Sequence, residues 1–293
     1  MAGLFQVFFW ITQDNKVSLI ETNFEKVESL SYSPFEGYDK RVLSPKQIEE
    51  DVSILSHITN KVRTYSTADA TVILEATSKT NMPIDLGLWI SGDHKENHKE
   101  IQRALELLKK YPNNIENVIV GNEVLLRADI NETELFAYID FVREFTKKPI
   151  TTAETWDVWE RIPDLASHVD FITIHILPYW EKVPIEQFNS FIVEKYNVVK
   201  NLFPEKQINI GETGWPSHGY NNHNAVPGLK NQATAIRGFL NLAQENNWNY
   251  NIVEAFDQQW KGYDEGNVGQ YWGIFTSDRE LKFYLSGDIE LNQ

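Results

Sequence analysis

Eight short runs of β-branched and apolar residues punctuate this chain, and between them lie longer segments whose apolar residues recur at helical spacing. No other feature constrains the fold as tightly. The runs are VESLSY (27–32), KVRTY (61–65), IDLGLWI (84–90), IENVIVG (115–121), PITTAE (149–154), VDFITIH (169–175), QINIGE (207–212) and YNIVEAF (250–256). Their starts lie between 20 residues (149 to 169) and 43 residues (207 to 250) apart, the spacing of a strand followed by a helix. Helices are predicted over 45–57, 68–78, 95–110, 132–146, 156–166, 184–202 and 228–245. Ser44 before Pro45, and Asn131 with Glu134 three residues on, supply the polar caps that start such helices. Eight units of this kind in roughly 250 residues predict an α/β fold, the (β/α)8 TIM barrel. A doubly wound sheet is the alternative. The count of eight and the lack of a Gly-rich phosphate loop after an early strand weigh against it.

No linker, low-complexity tract or shift of composition divides the chain, so residues 27–293 are read as one catalytic barrel, with 270–285 packing back as a tail. Ahead of it, 4–12 and 16–21 predict a β-hairpin turning at Asp14 and Asn15, an N-terminal extension over 1–26. The fifth unit is the weakest, because Pro163 interrupts its helix. The run LFQVFFWI (4–11) is far short of a membrane span and lacks the basic flank and cleavage site of a signal peptide. The chain therefore reads as soluble, and as a monomer. Met1-Ala2-Gly3 has the look of a cloning start, which leaves room for a membrane or fused domain in a longer parent. The location expected for such a parent is the periplasm, the cell exterior or the cell envelope.

Charge and cysteine count remove several function classes. With 42 acidic against 27 basic side chains the formal charge is −15, which repels a polyanion, so nucleic acid is not an expected partner. The chain has no cysteine, and with it go disulfides, thiolate metal sites and thiol nucleophiles.

In a barrel of this type chemistry sits at the C-terminal ends of the strands. The fourth run ends Gly121-Asn122-Glu123 and the seventh Gly211-Glu212. Two carboxylates facing one another across the mouth are what cleavage of a glycosidic bond requires: a proton donor for the leaving oxygen, and a nucleophile or base. A lone strand-end Glu is more often solvated or paired to an arginine; two in Gly-flanked contexts reverse those odds. The glycines give room to a sugar ring or to a neighbouring strand.

The motifs VIVGNEVL (118–125) and NIGETGWPS (209–217) stand beside SYSPF (31–35), KVRTYS (61–66), TTAE (151–154), EAFDQQWK (254–261) and YWGIF (271–275). Together they resemble the family 17 glycoside hydrolases, clan A (β/α)8 barrels that act on β-1,3-glucans, in a bacterial rather than a plant flavour. The resemblance runs from about Ser31 to Phe275. The chain departs from the plant pattern at strand six, where His175-Ile176-Leu177-Pro178-Tyr179-Trp180 replaces an Asn-Pro-Tyr-Pro-Tyr-like run. The resemblance implies a retaining double displacement on laminarin-type oligosaccharides, with Glu123 as general acid/base and Glu212 as nucleophile. It admits both an endo-β-1,3-glucanase and a β-1,3-glucan transglucosylase, and no cofactor.

For that division of labour the Glu123 carboxyl is expected to be raised by the charge of Glu212. Asn122 is expected to meet a sugar hydroxyl. Tyr32 and Tyr65 are expected at the ends of strands one and two, with Tyr65 placed to donate to a carboxylate, and Arg63 beside an acidic partner. Glu154 and His175 end strands five and six. Glu154 would bind sugar hydroxyls or hold Arg63, and His175 would set the hydrogen bonds of Glu212 or be a merely satisfied polar group. Sugars stack their C–H faces on flat rings, so Trp156, Trp180, Trp215 and Trp260, each just past a strand end, and Tyr179 are the expected lining of a glucan cleft. Trp272 fits cleft or core equally. His94 and His98 share a helix at a spacing able to ligate zinc, but they sit among Lys and Glu on a solvated face, so no metal site is expected. The rival functions are a non-catalytic glucan-binding barrel and a metal-dependent hydrolase.

Overall fold

The structure, a computed structural model, describes residue 24 and residues 26–286. The hairpin expected over 4–21 lies outside them. Ten strands and seven α-helices follow in chain order. Strand β1 (Val27–Ser31) leads into a two-stranded hairpin, β2 (Phe35–Glu36) and β3 (Arg41–Val42). Then come β4 (Thr59–Arg63), β5 (Ile84–Leu88), β6 (Ile115–Asn122), β7 (Ile150–Thr155), β8 (Ile172–His175), β9 (Ile208–Thr213) and β10 (Asn249–Ile252). The eight strands other than β2 and β3 form a closed, all-parallel barrel in which each pairs with its sequence neighbour and β10 pairs with β1. The barrel expected from the alternation is what the chain forms.

The helices fill the intervals: α1 (Pro45–Ile58), α2 (Thr67–Thr80), α3 (His94–Lys110), α4 (Glu132–Arg143), α5 (Trp156–Arg161), α6 (Phe188–Leu202) and α7 (Leu229–Asn246). Both expected caps form as reciprocal boxes: Ser44 Oγ accepts from Gln47 N while the Gln47 side chain accepts from Ser44 N, and Asn131 and Glu134 do the same. Each cap is worth about 1 kcal/mol to its helix. Pro163 ends α5 after six residues, and the chain continues as a 3₁₀ turn, Pro163–Ser167. Ile48, Val52 and Leu55 of α1 are buried against the barrel, each worth roughly 1.5–3 kcal/mol. Among the described residues no helix is long and apolar enough to cross a membrane.

Two features position the mouth. After β10 the chain makes 3₁₀ turns, Gln259–Tyr263 and Asn267–Tyr271, instead of an eighth α-helix. The tail then returns as expected, with Phe283 and Leu285 buried and Arg279 forking onto Asp51 of α1 at 2.8 and 2.9 Å. The ring's interior is also polar. Lys61 meets Asp85 at 3.0 Å, and Asn251 donates to Ser31 Oγ at 2.7 Å and to the Gly211 carbonyl at 3.1 Å. The bonds of Asn251 tie β1, β9 and β10 together beneath the cleft.

Candidate active site

Strand register sets the rim. Ser31 of β1 lies level with Arg63 of β4, Asn122 of β6 with Ala153 of β7, Thr155 of β7 with His175 of β8, and His175 with Glu212 of β9. Arg63, Asn122, His175 and Glu212 come from four strands and meet at the rim, where Arg63 donates to Asn122 and lies beside His175 and Glu212, and Glu123 follows Asn122 at a left-handed φ of 53°. Gly121 has φ 88°, and a Cβ there would sit 2.6 Å from Val124 Cγ2. A Cβ on Gly211 would lie 2.4 Å from Thr173 Cγ2 and 3.1 Å from Arg63 Nη1. Both glycines therefore make room for the fold's own turn and neighbouring strand, not for a sugar ring.

Carboxylate oxygens of Glu123 and Glu212 and a ring nitrogen of His175 all lie within 4.8 Å of one another. Tyr65 donates to Glu212 Oε1 at 2.8 Å, and its hydroxyl is also 2.8 Å from Ser31 Oγ. Asn251, Ser31, Tyr65 and Glu212 so form one hydrogen-bonded chain from the barrel interior to the carboxylate. Burial, and then the charge of Glu212, push the Tyr65 hydroxyl well above its ordinary pKa, which keeps it a donor. Arg63, buried, donates to the Gly211 carbonyl at 2.5 Å and to Asn122 Oδ1 at 2.7 Å, and stands 3.5 Å from Glu212. With its oxygen committed to Arg63, Asn122 keeps its amide N–H groups for other partners.

His175 is buried behind both carboxylates. Its Nε2 lies 3.2 Å from Arg63 Nη1, and its Nδ1 lies 2.7 Å from Glu123 Oε1. Arginine only donates, so Nε2 accepts and Nδ1 donates to Glu123. The effect on Glu123 reverses the expectation of a raised carboxyl. Burial does push it up, but the hydrogen bond from His175, followed by the charges of Arg127 and Arg63, outweighs that and holds it below its ordinary value. The three donor atoms of Glu123, His175 and Glu212 are close enough to share a metal ion. The guanidinium of Arg63 already stands against this group, and a second cation would meet its repulsion. His94 and His98 are engaged elsewhere: His94 with Tyr138 and Glu134, and His98 with the His94 carbonyl.

These groups lie on the floor of a cleft of about 1180 Å³. Tyr65, Asn122, Trp156, His175, Trp180 and Trp260 line it. Trp272 joins them, buried against Trp180 and Tyr179, and its Nε1–H finds no partner among the described residues. Four expected lining residues lie elsewhere. Tyr32 is buried and donates to Asp51 at 2.9 Å; strand alternation points Ser31 inward and therefore sends Tyr32 out toward α1. Glu154 is likewise turned away from the barrel's axis, accepting the backbone N–H groups of Leu125 and Leu126, and burial pushes its carboxyl up to about 7. Neither does it touch Arg63. Trp215 is fully buried with its Nε1 on the Val226 carbonyl, and Tyr179 packs edge-on against it with its hydroxyl on the Tyr220 carbonyl. Both brace the wall from behind. The cleft wall also holds Trp89, Leu126, Arg127 and Lys261. Lys261 pairs with the buried Glu254 at 2.9 Å, and burial lifts the Glu254 carboxyl to about 7.

The BtgE/BtgC glycoside hydrolase domain model matches residues 29–273. The chain belongs to that family. This bears out the resemblance to family 17 glycoside hydrolases. It is 28% identical over 272 residues to a probable glucan endo-1,3-beta-glucosidase, btgC, of Aspergillus fumigatus, a match covering 82% of this chain and 39% of that protein. It is also 28% identical over 257 residues to a glucan 1,3-beta-glucosidase of Schizosaccharomyces pombe, covering 80% of this chain and 79% of that one. Among solved structures it is similar to an active-site mutant of Rhizomucor miehei beta-1,3-glucanosyltransferase in complex with laminaritriose. That likeness has 27% identity and a TM-score of 0.79, over 87% of this chain and 95% of the other. The chain thus spans about two-fifths of the length of the Aspergillus relatives it matches. These relatives are fungal, so the bacterial flavour of the resemblance finds no support in them.

Proposed function

We propose that this chain cleaves β-1,3-glucan with retention of configuration through a covalent glucosyl-enzyme, and passes the glucosyl unit to water or to a second sugar. The observation that carries this reading is the approach of the two strand-end carboxylates: oxygens of Glu123 and Glu212 within 4.8 Å, on the floor of an open cleft lined by indole rings. Retaining pairs stand about 5–5.5 Å apart, whereas inverting pairs leave room for a water and stand roughly 6.5–9.5 Å apart. The names of the relatives support the same substrate, as glucan glucosidases and as a glucanosyltransferase seen with laminaritriose.

In the first step Glu212 attacks the anomeric carbon while Glu123 gives its proton to the leaving glycosidic oxygen. Tyr65 and Arg63 hold Glu212 in place, and the free amide N–H of Asn122 is available to a sugar hydroxyl. In the second step Glu123 takes a proton from the incoming water or sugar hydroxyl, which displaces Glu212. A glucan-binding barrel would gain nothing from two carboxylates at this separation. The chain's action as a monomer is part of the same proposal, and so is a longer parent protein.

The test is Glu212→Gln with laminari-oligosaccharides. Turnover should vanish while binding persists, and an unchanged rate would remove the mechanism. Mass spectrometry of wild-type products then separates the two outcomes: products longer than the donor mean transfer, and shorter ones alone mean hydrolysis.

A further inference from the structure

Trp89 follows directly on β5 and lines the cleft, yet 42% of its surface stays exposed. An exposed indole is usually free to move, but here the backbone of Trp89 is anchored and its ring is capped on one face. Its backbone N–H donates to Glu100 Oε1 at 2.9 Å, and the same carboxylate holds Thr67 at 2.6 Å and Arg103 at 2.6 Å. Over the ring lies the guanidinium of Arg127, 4.4 Å from the ring centroid. Arg127 is itself braced by Asp129 at 2.9 Å, by the Ile90 carbonyl at 3.1 Å and by the Asn122 carbonyl. With one face capped by Arg127, the exposure of Trp89 falls on its other face and edges. Leu126, 44% exposed, adds a second apolar surface to the same cleft.

We infer that Trp89, held by Arg127 and extended by Leu126, is an outlying platform for one glucosyl ring of a bound β-glucan, a ring other than the two that flank the scissile bond. The occupant is a neutral sugar for three reasons. The platform is continuous with the cleft that holds Glu123 and Glu212. Its surface is flat and apolar, matching the C–H face of a pyranose. Its rigidity means that little side-chain freedom is lost on stacking. The inference rests on the glucan reading and adds to it that affinity grows with chain length because of this ring.

The test is made in the full chain carrying Glu212→Gln, so that substrate stays intact. Binding of laminarihexaose and of laminaribiose is measured by calorimetry with and without Trp89→Ala or Trp89→Phe. The expected result is a loss of about tenfold in hexaose affinity for Trp89→Ala, the scale of one stacked ring, with biose affinity unchanged and Trp89→Phe restoring most of the hexaose binding. Equal losses for both sugars would mean that Trp89 only shapes the catalytic centre, and no loss for either would mean an idle ring; both overturn the platform. If the Glu212→Gln chain binds neither sugar before Trp89 is touched, the glucan reading itself has failed.

Discussion

Replacing His175 with methionine removes the N–H that reaches Glu123 at 2.7 Å while nearly preserving the volume of a buried side chain. A hydrogen bond to a charged group is worth about 1.5–3 kcal/mol. At about 1.4 kcal/mol per pKa unit, its loss should raise the Glu123 carboxyl by roughly one to two units, even with Arg127 and Arg63 in place. Glu123 must carry a proton to act as an acid. In the wild-type chain kcat/KM should therefore fall as pH rises past the lowered pKa of Glu123, with the optimum expected on the acid side. In His175→Met the alkaline limb of kcat/KM should move upward by those one to two units. The assay is reducing-sugar release from laminari-oligosaccharides across the pH range, with Tm recorded to show that the variant folds. An alkaline limb that stays in place, or moves to lower pH, refutes the assignment of His175 as the group that depresses Glu123.

Three further outcomes follow from the same geometry. Tyr65→Phe removes a 2.8 Å hydrogen bond to Glu212 and should lower kcat by about 10- to 100-fold, read as initial rates at saturating substrate; wild-type kcat would contradict it. Gly211→Ala puts a methyl 2.4 Å from Thr173 Cγ2 and 3.1 Å from Arg63 Nη1, so stability should fall by about 1–3 kcal/mol and activity with it, whereas an unshifted denaturant midpoint would show that the strands yield freely. Glu154, raised to about 7 by burial, binds a proton in the folded chain that the unfolded chain has released. Its stabilisation is full below the ordinary carboxylate pKa and is lost as pH rises through about 7. The Tm lost between about pH 4.5 and pH 7.5 should therefore be smaller in Glu154→Gln than in wild type, and an equal or larger loss would be wrong for this group.

Glu123 and Glu212 were legible in the sequence because each closes a strand run in a Gly-flanked motif, and a barrel places such residues at its mouth. The direction of Tyr32 and Glu154 was not, because a strand side chain changes face with every residue and a run's end is not fixed to one position by its composition. Tyr179 and Trp215 lie beyond their strands in loops, where no period says whether a ring turns to the cleft or to the core. Trp89 was hidden inside an apolar run that reads as strand throughout, although one position past Leu88 is where a barrel presents side chains to the mouth. The lowered carboxyl of Glu123 depends on His175, Arg127 and Arg63, and two of these reach it from other strands. Only the closed ring brings them together.

The central claim is that Glu123 and Glu212 act on one glycosidic bond in two displacements. It is tested most directly by proton NMR of the sugar released in the first moments of laminari-oligosaccharide hydrolysis, before mutarotation. The β-anomer appearing first is the predicted result. First appearance of the α-anomer would mean a single displacement by water, which the spacing of these two carboxylates does not accommodate.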